Sequence, residues 1–133
     1  MSGSSAVASP DRERTPTVID ETHLERMTLG DRRLEREVLE LFVRQTTIML
    51  GRIVGSDPAM AAASAHTLKG SARGIGAWRV ARAAELVESA VAGEGGAAAM
   101  DEAVTELKSA SLEASAAIGA RLSGLVAELP RAR

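Results

Sequence analysis

A core for this chain has to be built almost without rings. Its 133 residues include one Phe, one Trp and no Tyr, while hydrophobic residues as a class reach 45%. Ala, Leu, Val, Ile and Met must therefore fill the interior. Such side chains pack closely between helices, whereas a pleated surface favours β-branched and aromatic residues. The apolar positions also recur at intervals of three and four, without the strict alternation of a half-buried strand. An all-α chain is expected, long enough to bury a core with no disulfide or metal to help it.

The punctuation divides the chain into one short helix and four longer ones. Met1 to Thr17 is rich in Ser, Gly, Pro and charge and has almost nothing to bury, so residues 1–17 are expected to form a disordered tail. The domain is expected over residues 18–129. Asp20 or Thr22 can cap a helix reaching about Leu29, with Ile19, Leu24 and Met27 inward and His23 at the surface. Gly30-Asp31 ends that helix and caps the next. From Asp31 to about Val54 the spacing of Leu34, Val38, Leu41, Phe42, Ile48, Met49 and Ile53 predicts a long amphipathic helix. Glu35, Glu37, Glu40 and Arg44 fall on its wetter side. Gly55-Ser56-Asp57-Pro58 is a turn with Asp57 as cap and Pro58 in the first helical position. A helix then runs to about Ile75, broken by Gly74 and Gly76.

Ala77 to about Ala92 follows, with Val80, Ala83, Ala84, Val87 and Val91 as its inner stripe and Trp78 half-buried at one end. After the flexible turn Gly93-Glu94-Gly95-Gly96, the last helix spans about Ala97 to Leu129. Its inward positions are Met100, Val104, Leu107, Leu112, Ile118, Leu122, Leu125 and Val126. Gly119 and Gly124 weaken it, and Pro130 stops it. Short connections force neighbouring helices antiparallel. The expected architecture is thus an antiparallel up-down-up-down four-helix bundle with a short N-terminal helical extension.

Several function classes lose ground on composition. There is no Cys, which removes disulfides, thiolate catalysis and thiolate metal sites. A formal net charge of −2 offers no electrostatic reason for a nucleic acid or an anionic membrane as partner. No uncharged run approaches the length of a membrane span, and the N-terminus lacks the apolar core of a signal peptide. A soluble, cytoplasmic protein is expected.

The stretch that carries chemistry is Ala59 to Gly76, centred on His66-Thr67-Leu68-Lys69-Gly70-Ser71-Ala72. On a helix, Lys69, Gly70 and Arg73 lie within roughly 60° of His66 on one side and 40° on the other. Ala59 and Ala62 extend that stripe toward the N-terminus. The opposite face (Ala61, Ser64, Ala65, Leu68, Ser71, Ala72 and Ile75) is small and mostly apolar, fit for a helix–helix contact. A single imidazole is thus expected to point outward, with cations one and two turns further on. A neutral imidazole is a nucleophile that can take a phosphoryl group on a ring nitrogen. Lys69 and Arg73 can meet the incoming oxygens with charge-assisted hydrogen bonds, and their charge disfavours protonation of the ring. Gly70, Ala59 and Ala62 leave room for another protein's active site. A Gly inside a helix costs about 1 kcal/mol relative to Ala, which calls for such a reason.

These residues resemble the histidine-containing phosphotransfer (HPt) domain. The resemblance rests on His66-Thr67-Leu68-Lys69-Gly70-Ser71-Ala72, on Gly76-Ala77 ten residues past the His, and on Leu86-Val87-Glu88. Val18-Ile19-Asp20 and Leu41-Phe42 match more weakly upstream, and the likeness covers roughly residues 18–128. It implies that His66 is the phospho-acceptor, that Lys69 supports the phosphoryl group and that Gly70 gives access. Arg73, Ala62 and Ala59 are binding candidates from the physical reading alone.

The function implied is a phosphorelay carrier. His66 would accept a phosphoryl group from the phospho-aspartate of a receiver domain and pass it to another response-regulator receiver. The partners implied are receiver domains and a hybrid sensor histidine kinase. The chain would act as a stand-alone monomer of bacterial type, not as an enzyme. It would need no cofactor of its own, since Mg2+ and the catalytic aspartate would sit on the partner receiver. Exposed positions around Arg44 and Gln45 would join the His66 stripe in a modest, transient docking surface. Two rivals differ in class. One is a module of the same fold that binds receivers or a kinase and inhibits them without being phosphorylated. The other is a hydrolytic or metal enzyme, disfavoured by the presence of only two His and by the lack of clustered carboxylates on the motif helix.

Overall fold

The computed structural model describes residues 18–93 and 95–128, with side chains described to residue 125. Their regular structure is entirely helical: α1 (Glu21–Met27), α2 (Arg32–Gly55), α3 (Pro58–Ile75), α4 (Trp78–Val91) and α5 (Gly96–Glu128). The expected tail over residues 1–17 and the stop at Pro130 lie outside the described residues.

Local chemistry sets the boundaries. Asp20, Asp31 and Asp57 each cap a helix through a side-chain oxygen, accepting from the backbone N–H of His23, of Arg33 and Leu34, and of Met60 respectively. Each acceptor satisfies a donor that the first helical turn leaves without a partner. Pro58 takes the first position of α3, where its missing N–H costs nothing. Gly76 closes α3 in the left-handed region (φ 79°), which glycine enters without strain. Gly74, expected to break the helix, lies inside it, and α5 runs on through Gly119 and Gly124.

Helices α2, α3, α4 and α5 each pack on their neighbour in the chain, and α2 meets α5 to close the ring; α1 leans on α3. Ser56–Asp57 and Gly76–Ala77 are the whole of two of the connections. The core runs through all four long helices, with Leu39 and Phe42, Leu68 and Ile75, Val80 and Val87, and Leu107 and Ile118 among its buried members. The back face expected of α3 is buried at Ala61, Ser64, Ala65, Leu68, Ala72 and Ile75 and half-buried at Ser71.

Several positions face differently from expectation. On α2 the buried stripe is Glu35, Leu39, Phe42, Thr46 and Ile53, while Leu34, Leu41 and Ile48 are exposed and Val38 and Met49 half-buried. The apolar residues of α2 occupy two adjacent stripes about 100° apart, and only one can face the bundle axis. Leu112, expected inward, is exposed, because it stands about 200° round α5 from buried Ala110. Met27 is exposed as well, whereas Leu24 and Thr28 carry the buried side of α1.

Glu35, expected on the wet side, is fully buried and ion-paired to Arg121 of α5 and to Arg32. Arg121 also pairs with Glu21 of α1 at 3.1 Å, so one guanidinium ties α1, α2 and α5 together. His23 is half-buried, its ring 5.0 Å from that of Trp78. Trp78 is 42% exposed and donates from Nε1 to Asp20 Oδ2 at 2.9 Å, pinning the start of α1 to the start of α4. The side chain of Val126 lies outside the described residues.

Candidate functional site

The α3–α4 pair places the site. Ala65 and Leu68, either side of the turn that carries His66, are buried against the neighbouring helices, so the face between them is turned outward. His66 stands on that face with its side chain 72% exposed. Ala59 is exposed beside it and Ala62 half-buried. Gly70 is exposed, and a Cβ built there would meet nothing within 4 Å. The surface next to the ring is therefore low and open. Arg73 is exposed two turns on and touches no part of the His66 cluster.

The sequence reading missed the part played by Glu88 of α4. Its Oε2 lies 2.9 Å from His66 Nδ1, and its Oε1 lies 2.6 Å from Lys69 Nζ. Glu88 is 22 residues from His66 in the chain, and no spacing rule within one helix could bring them together. Lys69 is correspondingly not a free cation at the surface. It is 16% exposed and paired to the carboxylate. The expectation that Lys69 simply faces the site with its charge is corrected by that pairing: its field at the ring is largely offset by Glu88.

The electrostatics fix the state of the ring. Burial raises the Glu88 carboxyl, but the Lys69 ammonium and the His66 ring outweigh that and hold it below the ordinary carboxylate value. An ionised carboxylate only accepts hydrogen bonds. Nδ1 must therefore carry the proton it shares with Oε2, and in the neutral ring the lone pair stands on Nε2. The outward imidazole is thus held in one tautomer, with its nucleophilic nitrogen away from the carboxylate.

An apolar cleft of about 270 Å³ lies further along the same side, lined by Leu24 and Met27 of α1, Val38, Leu41 and Phe42 of α2 and Ile75 of α3, among others. Ser71 Oγ donates to Gln45 Oε1 at 3.2 Å, joining α3 to α2 at the edge of this cleft. Exposed Met27 and Leu41, which the sequence assigned to the core, instead form its rim. Among the described residues no group of three or more His, Cys, Asp or Glu is arranged to hold a metal ion, and no helix is long and apolar enough to cross a membrane.

The Hpt domain family matches residues 34–129. The chain belongs to the Hpt domain family. That match spans α3 and α4 whole and most of α2 and α5, so it takes in His66, Lys69, Gly70 and Glu88 together. Membership places the protein among the histidine phosphotransfer domains of phosphorelay signalling, which carry a phosphoryl group between partners. No curated protein and no solved structure matches the chain.

Proposed function

We propose that His66 accepts a phosphoryl group on Nε2 from the phospho-aspartate of a receiver domain and passes it to the aspartate of a second receiver, in a two-component phosphorelay fed by a hybrid sensor kinase. The observation that carries this reading is the exposed ring whose Nδ1–H is engaged by Glu88, leaving Nε2 free above an open surface. The Nε2 lone pair attacks phosphorus as the bond to the aspartyl oxygen breaks, and the electrons of that bond return to the carboxylate. Phosphoryl transfer depends mainly on positioning and charge compensation. This chain supplies the nucleophile, its tautomer and a nearby cation, while the receiver supplies the Mg2+ and the acidic pocket. Gly70, with Ala59 and Ala62, gives the receiver its approach, and Arg73 offers a second positive charge to the acidic rim.

The receiver rests on the His66 stripe and on the adjoining α2 surface at Arg44, Gln45 and the apolar rim at Leu41 and Met27. A contact of this size is weak and transient, as signalling between several partners requires. The protein works as a cytoplasmic monomer on an antiparallel four-helix bundle, and the partners hold the catalytic machinery.

The test is incubation with a phosphorylated receiver. Acid-labile, base-stable label on the wild type, absent from His66→Gln, is the expected result. A stable complex with the receiver and no label on either protein would reject the carrier and favour an inhibitory module.

A further inference from the structure

The Glu88 carboxylate serves two groups at once, with Oε1 on the Lys69 ammonium at 2.6 Å and Oε2 on the His66 Nδ1–H at 2.9 Å. In the unloaded protein the charges close: Glu88 is negative, Lys69 positive and the ring neutral. Loading His66 at Nε2 redistributes them. The nitrogen lone pair becomes the N–P bond, the P–O bond to the aspartate breaks with its electrons, and Nδ1 keeps its proton. The ring then carries a positive charge, and the phosphoryl oxygens bring about two negative charges. Glu88 already touches the ring through Nδ1, so the new cation compensates it in place. The phosphoryl group has no such partner on this chain, and Lys69 stands three residues along the same helix face, where side chains are neighbours. Its four-carbon stem lets the ammonium turn from one acceptor to another.

We propose that Lys69 changes partner when His66 is loaded: Glu88 holds the ammonium while the ring is free, and the phosphoryl group takes it over while Glu88 stays with the Nδ1–H. The inference rests on loading at Nε2 and adds a regulation of that site. While the ring is free, Glu88 screens it from the Lys69 charge, so the nucleophile is not opposed by a neighbouring cation. Once the ring is loaded, the same cation becomes available to the group that needs it. Charge-assisted hydrogen bonds to phosphoryl oxygens are among the stronger polar contacts, and a dianion draws the ammonium more than a carboxylate already paired to an imidazolium.

The chain has two lysines, Lys69 and Lys108, so its ammonium groups give two resonances in a 15N-labelled sample, with exposed Lys108 as the internal reference. Spectra are compared for wild type and Glu88→Gln, free and loaded, with a phosphorylated receiver as one donor and phosphoramidate as the other. In the free protein Glu88→Gln should erase the slow-exchanging Lys69 signal. In the loaded protein that signal should persist in both, and Lys69→Ala should move the 31P resonance of the phosphohistidine while Glu88→Gln should not abolish the Lys69 signal. A Lys69 signal that still requires Glu88 after loading, or a 31P resonance indifferent to Lys69→Ala, overturns the change of partner. Loading by phosphoramidate but not by the receiver would sink the carrier reading instead, and the lysine spectra of that sample would still decide this inference.

Discussion

Gly70 is the position where fold and function should pull in opposite directions. It lies inside α3, is exposed, and a Cβ there meets nothing within 4 Å. Gly70→Gln therefore adds a good helix former to open space. The gain should be about 0.5–1 kcal/mol from backbone propensity alone, which for a domain of this size raises Tm by roughly 2–6 °C. The same side chain stands one turn from the His66 ring, on the surface the receiver must reach. In-line attack requires the reacting atoms within about 3–3.5 Å, and a misplacement of 1 Å costs about 100-fold in rate. Gly70→Gln should then lose at least about 100-fold in transfer from a phosphorylated receiver, equivalent to about 2.7 kcal/mol of barrier. Gly119→Gln is the control, because Gly119 is also helical, exposed and open but lies on α5. It should show the same rise in Tm and an unchanged transfer rate. The assay is rapid-quench transfer of labelled phosphoryl beside a thermal melt of each variant. If Gly70→Gln transfers at the rate of Gly119→Gln, the access argument is wrong.

Three further outcomes concern the scaffold. Arg121→Met leaves the fully buried Glu35 without its α5 partner and should cost about 2–4 kcal/mol in urea unfolding, below the usual upper range because Arg32 remains; adding Glu35→Met should recover most of it. Gly76→Ala forces a side chain into φ 79° and sets its Cβ 2.8 Å from Asp20 Cβ, so the urea midpoint should fall by the equivalent of about 1–3 kcal/mol. Asp20 is held below its ordinary carboxyl value of 3.8 by the Trp78 N–H first and the His23 backbone N–H second. A depressed carboxyl stabilises above its unfolded value and loses that contribution as pH falls through the folded one. The stability difference between wild type and Asp20→Asn, followed by Trp78 fluorescence, should be constant near neutrality and shrink below pH 3.8; a difference that grows on acidification would contradict the sign.

Glu35 and Glu88 mark where reading along the chain stops being enough. Both are acidic residues on amphipathic helices, and periodicity ranks them as solvent-facing. Glu35 is instead buried because Arg121, 86 residues away, meets it across the α2–α5 contact. Glu88 enters the site because α4 is rotated to aim it at α3. Leu34, Leu41 and Ile48 err the other way, as an apolar stripe that the bundle leaves outside.

What the sequence determined by itself was local. The caps at Asp20, Asp31 and Asp57, the glycine stop at Gly76 and the outward face of His66 each depend on residues a few positions apart, where one turn of helix fixes the geometry. The all-helical class followed from spacing in the same way. What only the tertiary structure decided was the rotation of each helix about its own axis. A one-dimensional pattern gives the width of an apolar stripe but not which of two adjacent stripes meets the core. That rotation selected Leu39 over Leu41 for burial, put the Glu88 carboxylate between His66 and Lys69, and thereby set the tautomer of the exposed ring.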